Sequence, residues 1–169
     1  MTVGFHGPEP VAAPDQLLSR RTRVITNRSG WHTAAANTAN DRATDQGCPF
    51  CNLPSSRVVH ENVHAVVIRD GFPVSQGHTL VIARRHVGSF FELTADERAG
   101  LMALVDTAKG ELDASHTPEG YNIGINDGPA AGQTVPHVHM HLIPRYLRDV
   151  EDPRGGVRWV IPEKARYWP

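Results

Sequence analysis

Residues 136–145 alternate between histidines and apolar side chains, with histidines at 137, 139 and 141. A β-strand places every second residue on the same face, so this pattern predicts a strand with three imidazoles on one side. Neighbouring histidines would lie about 6.6 Å apart and the outer two about 13 Å apart. One metal ion with ligand bonds of about 2.0–2.1 Å cannot readily take all three. We therefore expect the histidines His137, His139 and His141 to serve different purposes.

Similar patterns predict the other elements of the domain. Stretches 58–61 and 64–69 have the short, strand-like character of a hairpin around Asn62, and 77–83 is a β-branched, apolar third strand. Residues 121–126 predict a fourth strand. Thr94 and Glu97 have the spacing of a capping box, and apolar residues follow at helical spacing, so a helix is predicted from about 95 to 115.

Strands outnumber helices, the connections between them are short, and no alternation of strand and helix is visible. This combination predicts an α+β fold with an antiparallel sheet and helices. Residues 1–46 show no sustained periodicity and are interpreted as a loosely ordered arm. The globular domain is predicted at 47–146, and residues 147–169 as a tail that completes the domain or a dimer, with a strand-like stretch at 157–161.

Length and charge narrow the choice of partners. A chain of 169 residues is expected to form one domain, and 17 Lys and Arg balance 18 Asp and Glu. Such a surface offers no strong field for a nucleic acid or an anionic membrane. The first residues lack the pattern of a signal peptide, and no apolar run approaches the roughly 20 residues of a membrane span. We therefore predict a cytoplasmic protein.

The loop at 127–134 is rich in small residues and directly precedes the histidines. Small residues let backbone N–H groups approach an anion, and Gln133 and Thr134 add side-chain donors, so the loop is interpreted as a phosphate cradle. The central histidine, His139, is best placed to attack phosphorus, provided that a backbone carbonyl holds its Nδ1 proton and leaves Nε2 free. His141 could then donate to the phosphate oxygens.

Two cysteines, Cys48 and Cys51, stand in the sequence Cys-Pro-Phe-Cys. In a reducing compartment this spacing favours half of a metal site or a redox pair, and the alternative is two unligated buried thiols. Pro54 argues against the redox pair, because that chemistry requires a helix after the motif. Zinc usually takes four ligands, and His86 and His137 are the candidates for the other two, which would make a structural zinc site.

These motifs together resemble the histidine-triad (HIT) superfamily over residues 47–146. The resemblance rests on His137-Val-His139-Met-His141-Leu-Ile, on 77–82, on Cys-Pro-Phe-Cys and on 127–135. It implies a homodimeric α+β fold with a shared sheet, nucleotide binding, and transfer or hydrolysis through a nucleotidyl-histidine intermediate. It also matches a bacterial branch that binds zinc through two cysteines and two histidines.

Carried over by position, the resemblance assigns a role to each site residue. His139 would be the nucleophile, with His141 and His78 supporting it. Phosphate and ribose contacts would come from the following residues: Asp70, Asn126, Gly132, Gln133, Thr134 and His141. Phe50, Leu53 and Phe72 would wall the base pocket, and Trp159 and Trp168 are candidates for shaping a partner's site.

The sequence leaves three functions open. The first is a nucleotide hydrolase or transferase that acts at the α-phosphorus of dinucleoside polyphosphates or adenylyl conjugates, with nucleoside phosphoramidase as a variant of it. The second is a nucleotide-binding regulatory module with little turnover. The third is a metallohydrolase in which His137 and His139 hold a catalytic metal. The expected partners are a nucleotide substrate of the adenine type and a second copy of the chain.

Overall fold

The computed structural model describes residues 47–169, so the predicted arm at 1–46 lies outside the described residues. Five antiparallel strands form one sheet in the order β1-β2-β3-β5-β4. This confirms the predicted α+β architecture. The strands are β1 Val58–Glu61, β2 Ala65–Arg69, β3 Thr79–Ala83, β4 Gly120–Gly124 and β5 His139–Arg145. Two α-helices, α1 Ala95–His116 and α2 Pro162–Ala165, and four short 3-10 helices complete the described chain.

Helix α1 begins with the predicted capping box. The Thr94 hydroxyl accepts from the N–H of Glu97 at 3.2 Å, and the Glu97 carboxylate accepts from the N–H of Thr94 at 2.8 Å. These two bonds satisfy backbone donors that the first turn would leave unpaired. The helix ends at Thr117, which adopts a left-handed conformation with φ of +48°. The start of α1 is thus encoded locally, as the sequence predicted.

The two faces of the sheet have separate roles. On one face, the apolar stripe of α1 packs against alternate residues of β5, namely Val138, just before the strand, Met140 and Leu142, all buried. The other face carries the smaller cluster of Val66, Ile68, Leu80 and Ile82, on which Phe50 and Leu53 pack. The histidines of β5 lie on that second face. The alternating pattern therefore divides one strand between a dry core and a site, as predicted.

Several element boundaries differ from the predictions. Strand β5 begins at His139 rather than at 136, β3 begins at Thr79, and β4 runs over Gly120–Gly124, so that Asn126 follows the strand. The peptides just before β5 still bond to neighbouring chain, because the Val138 N–H donates to the Val87 carbonyl at 2.8 Å. The shift at β5 therefore leaves His139 and His141 in the ladder and places His137 just before it.

The strand predicted at 157–161 is wrong. Residues Gly156–Val160 form a 3-10 helix, and α2 follows it. Gly155 and Gly156 have φ of +89° and +49°, which turns the chain back on itself. The Arg158 guanidinium then donates to the carbonyls of Ala165 and Lys164 at 3.0 and 2.7 Å. These contacts hold the tail as a local fold, which outweighs the β propensity of its valines.

Within residues 47–169, α1 is the one helix of considerable length, and its mixture of apolar and charged residues is too polar for it to cross a bilayer.

Candidate active site around the histidine strand

His139 presents one ring nitrogen to the second face of the sheet. Its Nδ1 lies 2.7 Å from the carbonyl oxygen of His137, and its side chain is almost completely buried. A carbonyl can only accept, so Nδ1 must carry the proton and Nε2 keeps its lone pair. This is the arrangement that a nucleophilic imidazole requires.

His141 and His78 form a second imidazole pair beside it. The Nε2 of His78 lies 3.0 Å from Nδ1 of His141, and the Val74 N–H donates to Nδ1 of His78 at 3.3 Å. With Nδ1 accepting, the proton of His78 sits on Nε2 and is donated to His141. His141 then carries its own proton on Nε2, where it can be donated to a ligand.

Burial holds this pair in the neutral form. Desolvation lowers the pKa of His78 and, together with the neighbouring His139 and His78 rings, lowers the pKa of His141. The carboxylate of Asp70, with Oδ2 3.3 Å from Nδ1 of His78, opposes this by raising both pKa values. Desolvation is the larger effect, so both histidines are neutral hydrogen-bonding groups at neutral pH.

A cavity of about 360 Å³ opens in front of His139 and His141. We call it the Phe50 pocket. The side chains that surround it include Phe50, Arg57, Ile68, Asp70, Phe72, Leu80 and Thr134. The Phe50 ring packs edge-on against His139, and Asp70 accepts from the Phe72 N–H at 2.9 Å. An apolar slot with a carboxylate at its mouth is suited to a planar base joined to a polar sugar.

A second cavity of about 420 Å³ lies on the other side of His141. We call it the tail pocket, because the 3-10 helix of the C-terminal tail forms one of its walls. His78, His141 and Asn126 line it together with apolar residues of β4 and β5. Asn126, predicted to contact phosphate, therefore lies beside His141, although it comes after β4 rather than inside it.

The loop between β4 and β5 is braced by its own side chains. Gln133 accepts from the Gly128 N–H at 2.9 Å and donates to the Gly88 carbonyl at 2.7 Å. Asp127 accepts from the Ser89 hydroxyl and from the Phe90 N–H, at 3.0 and 2.7 Å. The side-chain amide of Gln133 thus holds the loop in shape, while the predicted contacts of Gly132, Gln133 and Thr134 with phosphate stay predictions.

Cys48, Cys51, His86 and His137 come together as the sequence suggested, with their ligand atoms all within 4.8 Å of one another. The Nδ1 atom of His137 lies 3.3 and 3.5 Å from the two sulfurs, and Nδ1 of His86 lies 3.2 Å from that of Cys51. Tetrahedral zinc with ordinary bond lengths separates nitrogen and sulfur ligands by about 3.6 Å. The four side chains therefore fit a zinc ion.

His137 connects this cluster to His139. Its Nε2 donates to the Ala83 carbonyl at 2.7 Å, which fixes the ring with Nδ1 toward the cysteines. Its own carbonyl is the acceptor for His139. Phe50, between the two cysteines, touches both rings, with centroid distances of 5.9 Å to His137 and 5.0 Å to His139. The imidazoles of His137 and His139 thus lie in different surroundings, the first beside the cysteines and the second at the Phe50 pocket.

Sequence reasoning missed several residues that surround the site. Arg57 lines the Phe50 pocket, and the backbone of Val74 sets the proton position on His78. Gly156, Val157 and Val160 of the tail line the tail pocket. None stands in a recognisable motif, and only the fold brings them to the histidines. Trp159 donates to the Arg154 carbonyl, and Arg154 stacks over Trp168, while the predicted role of both tryptophans in a partner's site stays a prediction.

An antiparallel α+β sheet whose alternating strand carries three histidines after a glycine-rich loop defines the class of histidine-triad proteins. The comparison with protein families agrees: the HIT domain model matches residues 53–147, and the chain belongs to this family. An uncharacterised HIT-like protein of Mycoplasma genitalium is 34% identical over 110 residues, which are 63% of this chain and 78% of the relative.

Two further relatives bear on chemistry. A bifunctional bis(5′-adenosyl)-triphosphatase/adenylylsulfatase of Arabidopsis thaliana is 43% identical over 79 residues, 47% of this chain and 44% of that protein. A Zn-bound histidine triad family protein from Mycobacterium smegmatis has the same fold, with a TM-score of 0.56 and 30% identity over 72% of this chain and 95% of that one. The family thus includes nucleotide hydrolases and zinc-bound members.

Proposed function

We propose that this protein is a nucleotide hydrolase that acts at the α-phosphorus of adenylyl compounds through a nucleotidyl-histidine intermediate on His139. The observation that carries the proposal is the 2.7 Å bond from Nδ1 of His139 to the His137 carbonyl, which leaves the Nε2 lone pair available. The hydrolase activity in the printed name of the Arabidopsis relative supports the same class of reaction.

The chemistry needs two displacements. In the first, Nε2 of His139 attacks phosphorus, the bond to the leaving group breaks, and the leaving atom takes the electron pair and then a proton from water. In the second, water attacks the phosphorus of the adduct and gives its proton to the hydroxide left by the first step, which releases the nucleotide and restores neutral His139. Neutral His141 donates a hydrogen bond from Nε2 to a phosphate oxygen in both steps, and the proton that His78 directs to Nδ1 of His141 favours this tautomer.

The substrate would occupy the Phe50 pocket with its nucleoside. Phe50 and Phe72 offer apolar faces to the base, and Asp70 lies where it can accept from ribose hydroxyls. Thr134 lies at the same pocket and would meet the phosphate with the loop amides. Adenine is proposed as the base because the name of the Arabidopsis relative refers to adenosyl compounds.

The Cys48, Cys51, His86 and His137 cluster is proposed as a structural zinc site. Four protein ligands would leave no open coordination position, which is typical of zinc that stabilises a fold rather than one that activates water. This assignment also speaks against a metallohydrolase, because the ring of His137 faces the cysteines while its carbonyl faces His139.

A homodimer is part of the proposal. Strand β4 is an edge of the sheet, and an edge strand presents unpaired backbone groups that a second copy can bond. Sedimentation of the full chain measures this state directly.

The test replaces the nucleophile. His139→Asn should abolish turnover of adenosine 5′-phosphoramidate and of diadenosine triphosphate while AMP binding and thermal stability stay close to those of the wild type. His116→Asn, on α1 away from the site, is the matched control and should keep full activity. Retention of most activity by His139→Asn would refute the nucleophile, and AMP binding without turnover by the wild type would favour a regulatory module.

A further inference from the structure

His141 separates two cavities of different character. The Phe50 pocket is lined by both His139 and His141, whereas the tail pocket is lined by His141 and His78. In an in-line displacement the leaving group departs on the side of phosphorus opposite the nucleophile. A phosphorus held between His139 and His141, with its nucleoside in the Phe50 pocket, therefore directs its leaving group toward the tail pocket.

Among residues 47–169, those that line the tail pocket have no formal charge apart from the two histidines, which are neutral at pH 7. Six of the side chains around it are aliphatic: Val74, Ile123, Ile125, Ile143, Val157 and Val160. Asn122 and Asn126 are the amides at its edge. No Lys or Arg among residues 47–169 lines this space, so a leaving group that carries phosphates would meet no cation in the described lining, and desolvating an unpaired charge is costly.

The C-terminal tail forms the outer wall of the tail pocket. Val157 and Val160 are 63% and 78% exposed, so two aliphatic side chains stand open to solvent beside the histidines. Their helix is anchored by Arg158, whose guanidinium bonds the carbonyls of Ala165 and Lys164. Gly156 lies against β4, where a Cβ added to it would be in ordinary contact, 3.5 Å from Nδ2 of Asn122.

We propose that the tail pocket is the subsite for the leaving group and that Val157 and Val160 make the site select an uncharged, apolar leaving group. The inference rests on the proposed function, because it takes His139 as the nucleophile. An aliphatic wall gains from burying apolar surface of the leaving group and offers nothing to a charged one. The tail thus becomes a specificity element of the same protomer.

The test uses two substrates that differ only in remote charge. Both are adenosine 5′-phosphoramidates, one of 2-phenylethylamine and one of 4-(2-aminoethyl)benzoate, so the reacting P–N bond is the same. The wild type should favour the uncharged probe by about 10-fold or more in kcat/KM, which corresponds to at least about 1.4 kcal/mol of discrimination. Val160→Lys places a cation in the wall and should reduce or reverse that preference.

Val150→Lys is the matched control, because Val150 is also an exposed tail valine but does not line the tail pocket. It should keep the wild-type selectivity. Equal kcat/KM for the two probes in the wild type, or the same change in both lysine variants, would overturn the inference. So would a change of oligomeric state caused by Val160→Lys, since the wall would then be covered by a second copy.

Binding separates this inference from the proposed function. The dissociation constants of both probes are measured on His139→Asn, which should bind without turnover. A preference for the uncharged probe in binding, with no turnover by the wild type, would retain the subsite and refute the hydrolase. Turnover that depends on His139, with no preference between the probes in kcat/KM or in binding, would retain the hydrolase and refute the subsite.

Discussion

The ring of Phe50 packs edge-on against the imidazole of His139, with 5.0 Å between the centroids and 63° between the planes. Phe50 also lies between the two cysteines of the metal-type cluster. One short turn therefore carries both the candidate zinc ligands and a wall of the Phe50 pocket. Any change that loosens the turn should therefore alter the surroundings of His139.

Replacing Phe50 tests its role as a wall. Phe50→Ala should raise the dissociation constant for AMP by about 10- to 100-fold, because burying a large apolar side chain is worth roughly 1.5–3 kcal/mol. Calorimetric titration with AMP measures the effect. Phe91→Ala is the control, since Phe91 is 77% exposed and lies outside the pocket. Similar weakening in both variants would show that Phe50 does not contact the nucleoside.

Removing a cysteine tests the metal. Cys51→Ala should lower bound zinc from about one ion per chain and reduce the melting temperature by about 10 °C or more, because a ligand present at 1,000 times its dissociation constant contributes about 4 kcal/mol. Elemental analysis and thermal unfolding, with and without chelator, measure both. His116→Ala is the control outside the cluster. A Cys51→Ala protein that keeps its zinc and its melting temperature contradicts the site.

The burial of the two imidazoles predicts how they titrate. His78 and His141 have pKa values below 6.5, so both rings should stay neutral at pH values where an ordinary histidine is protonated, and NMR titration of the two imidazoles measures this. Asp70→Asn removes the carboxylate that raises both pKa values and should move both titrations to lower pH. Asp106→Asn, a change of the same charge on the surface of α1, should leave them in place.

The free energy of unfolding should also depend on pH through His78 and His141. Protonation is harder in the folded than in the unfolded chain, so the unfolded state binds more protons between the lowered pKa values and 6.5. The contribution of these histidines to the free energy of unfolding therefore decreases as pH falls through that window and is constant below it. Urea unfolding of the wild type and of a variant with both His78→Gln and His141→Gln across this window measures the contribution, and a difference that does not change with pH would contradict it.

Two glycines of α1 predict opposite effects of the same substitution. A Cβ on Gly100 would lie 2.7 Å from Cβ of His64, whereas a Cβ on Gly110 would meet nothing within 4 Å. Gly110→Ala should stabilise the protein by about 0.5–1 kcal/mol through helix propensity. Gly100→Ala should destabilise it, because the clash involves atoms close to the backbone. Denaturant unfolding of both variants decides, and equal stabilisation would refute the close packing.

Much of the architecture follows from local pattern. The capping box at Thr94 and the alternation of β5 each act over a few residues, and both give the structure that the sequence predicts. The cluster of Cys48, Cys51, His86 and His137 was also predictable, since zinc chemistry restricts the choice of partners. Local rules and ligand chemistry are sufficient for these features.

The conformation of the C-terminal tail could not be predicted from local sequence patterns. Its valines have β propensity, but Gly155 and Gly156 adopt positive φ and Arg158 binds carbonyls six and seven residues later. The contact between Gly156 and Asn122 depends on residues 34 positions apart. Likewise the tautomer of His78 depends on the N–H of Val74, which carries no side-chain signal. The contact of the tail with β4 and the tautomer of His78 depend on residues that only the folded chain brings together.

The core residues and the candidate site residues of β5 lie on opposite faces of the strand, so both depend on its register. A single residue inserted just before His139 would turn the imidazoles into the apolar core and expose Met140 and Leu142 where the nucleotide should bind. Such an insertion should therefore disrupt the packing of the core and the candidate site at the same time. Insertions and deletions should therefore be tolerated in the connections far from β5, whereas within β5 they should disrupt both the fold and the candidate site.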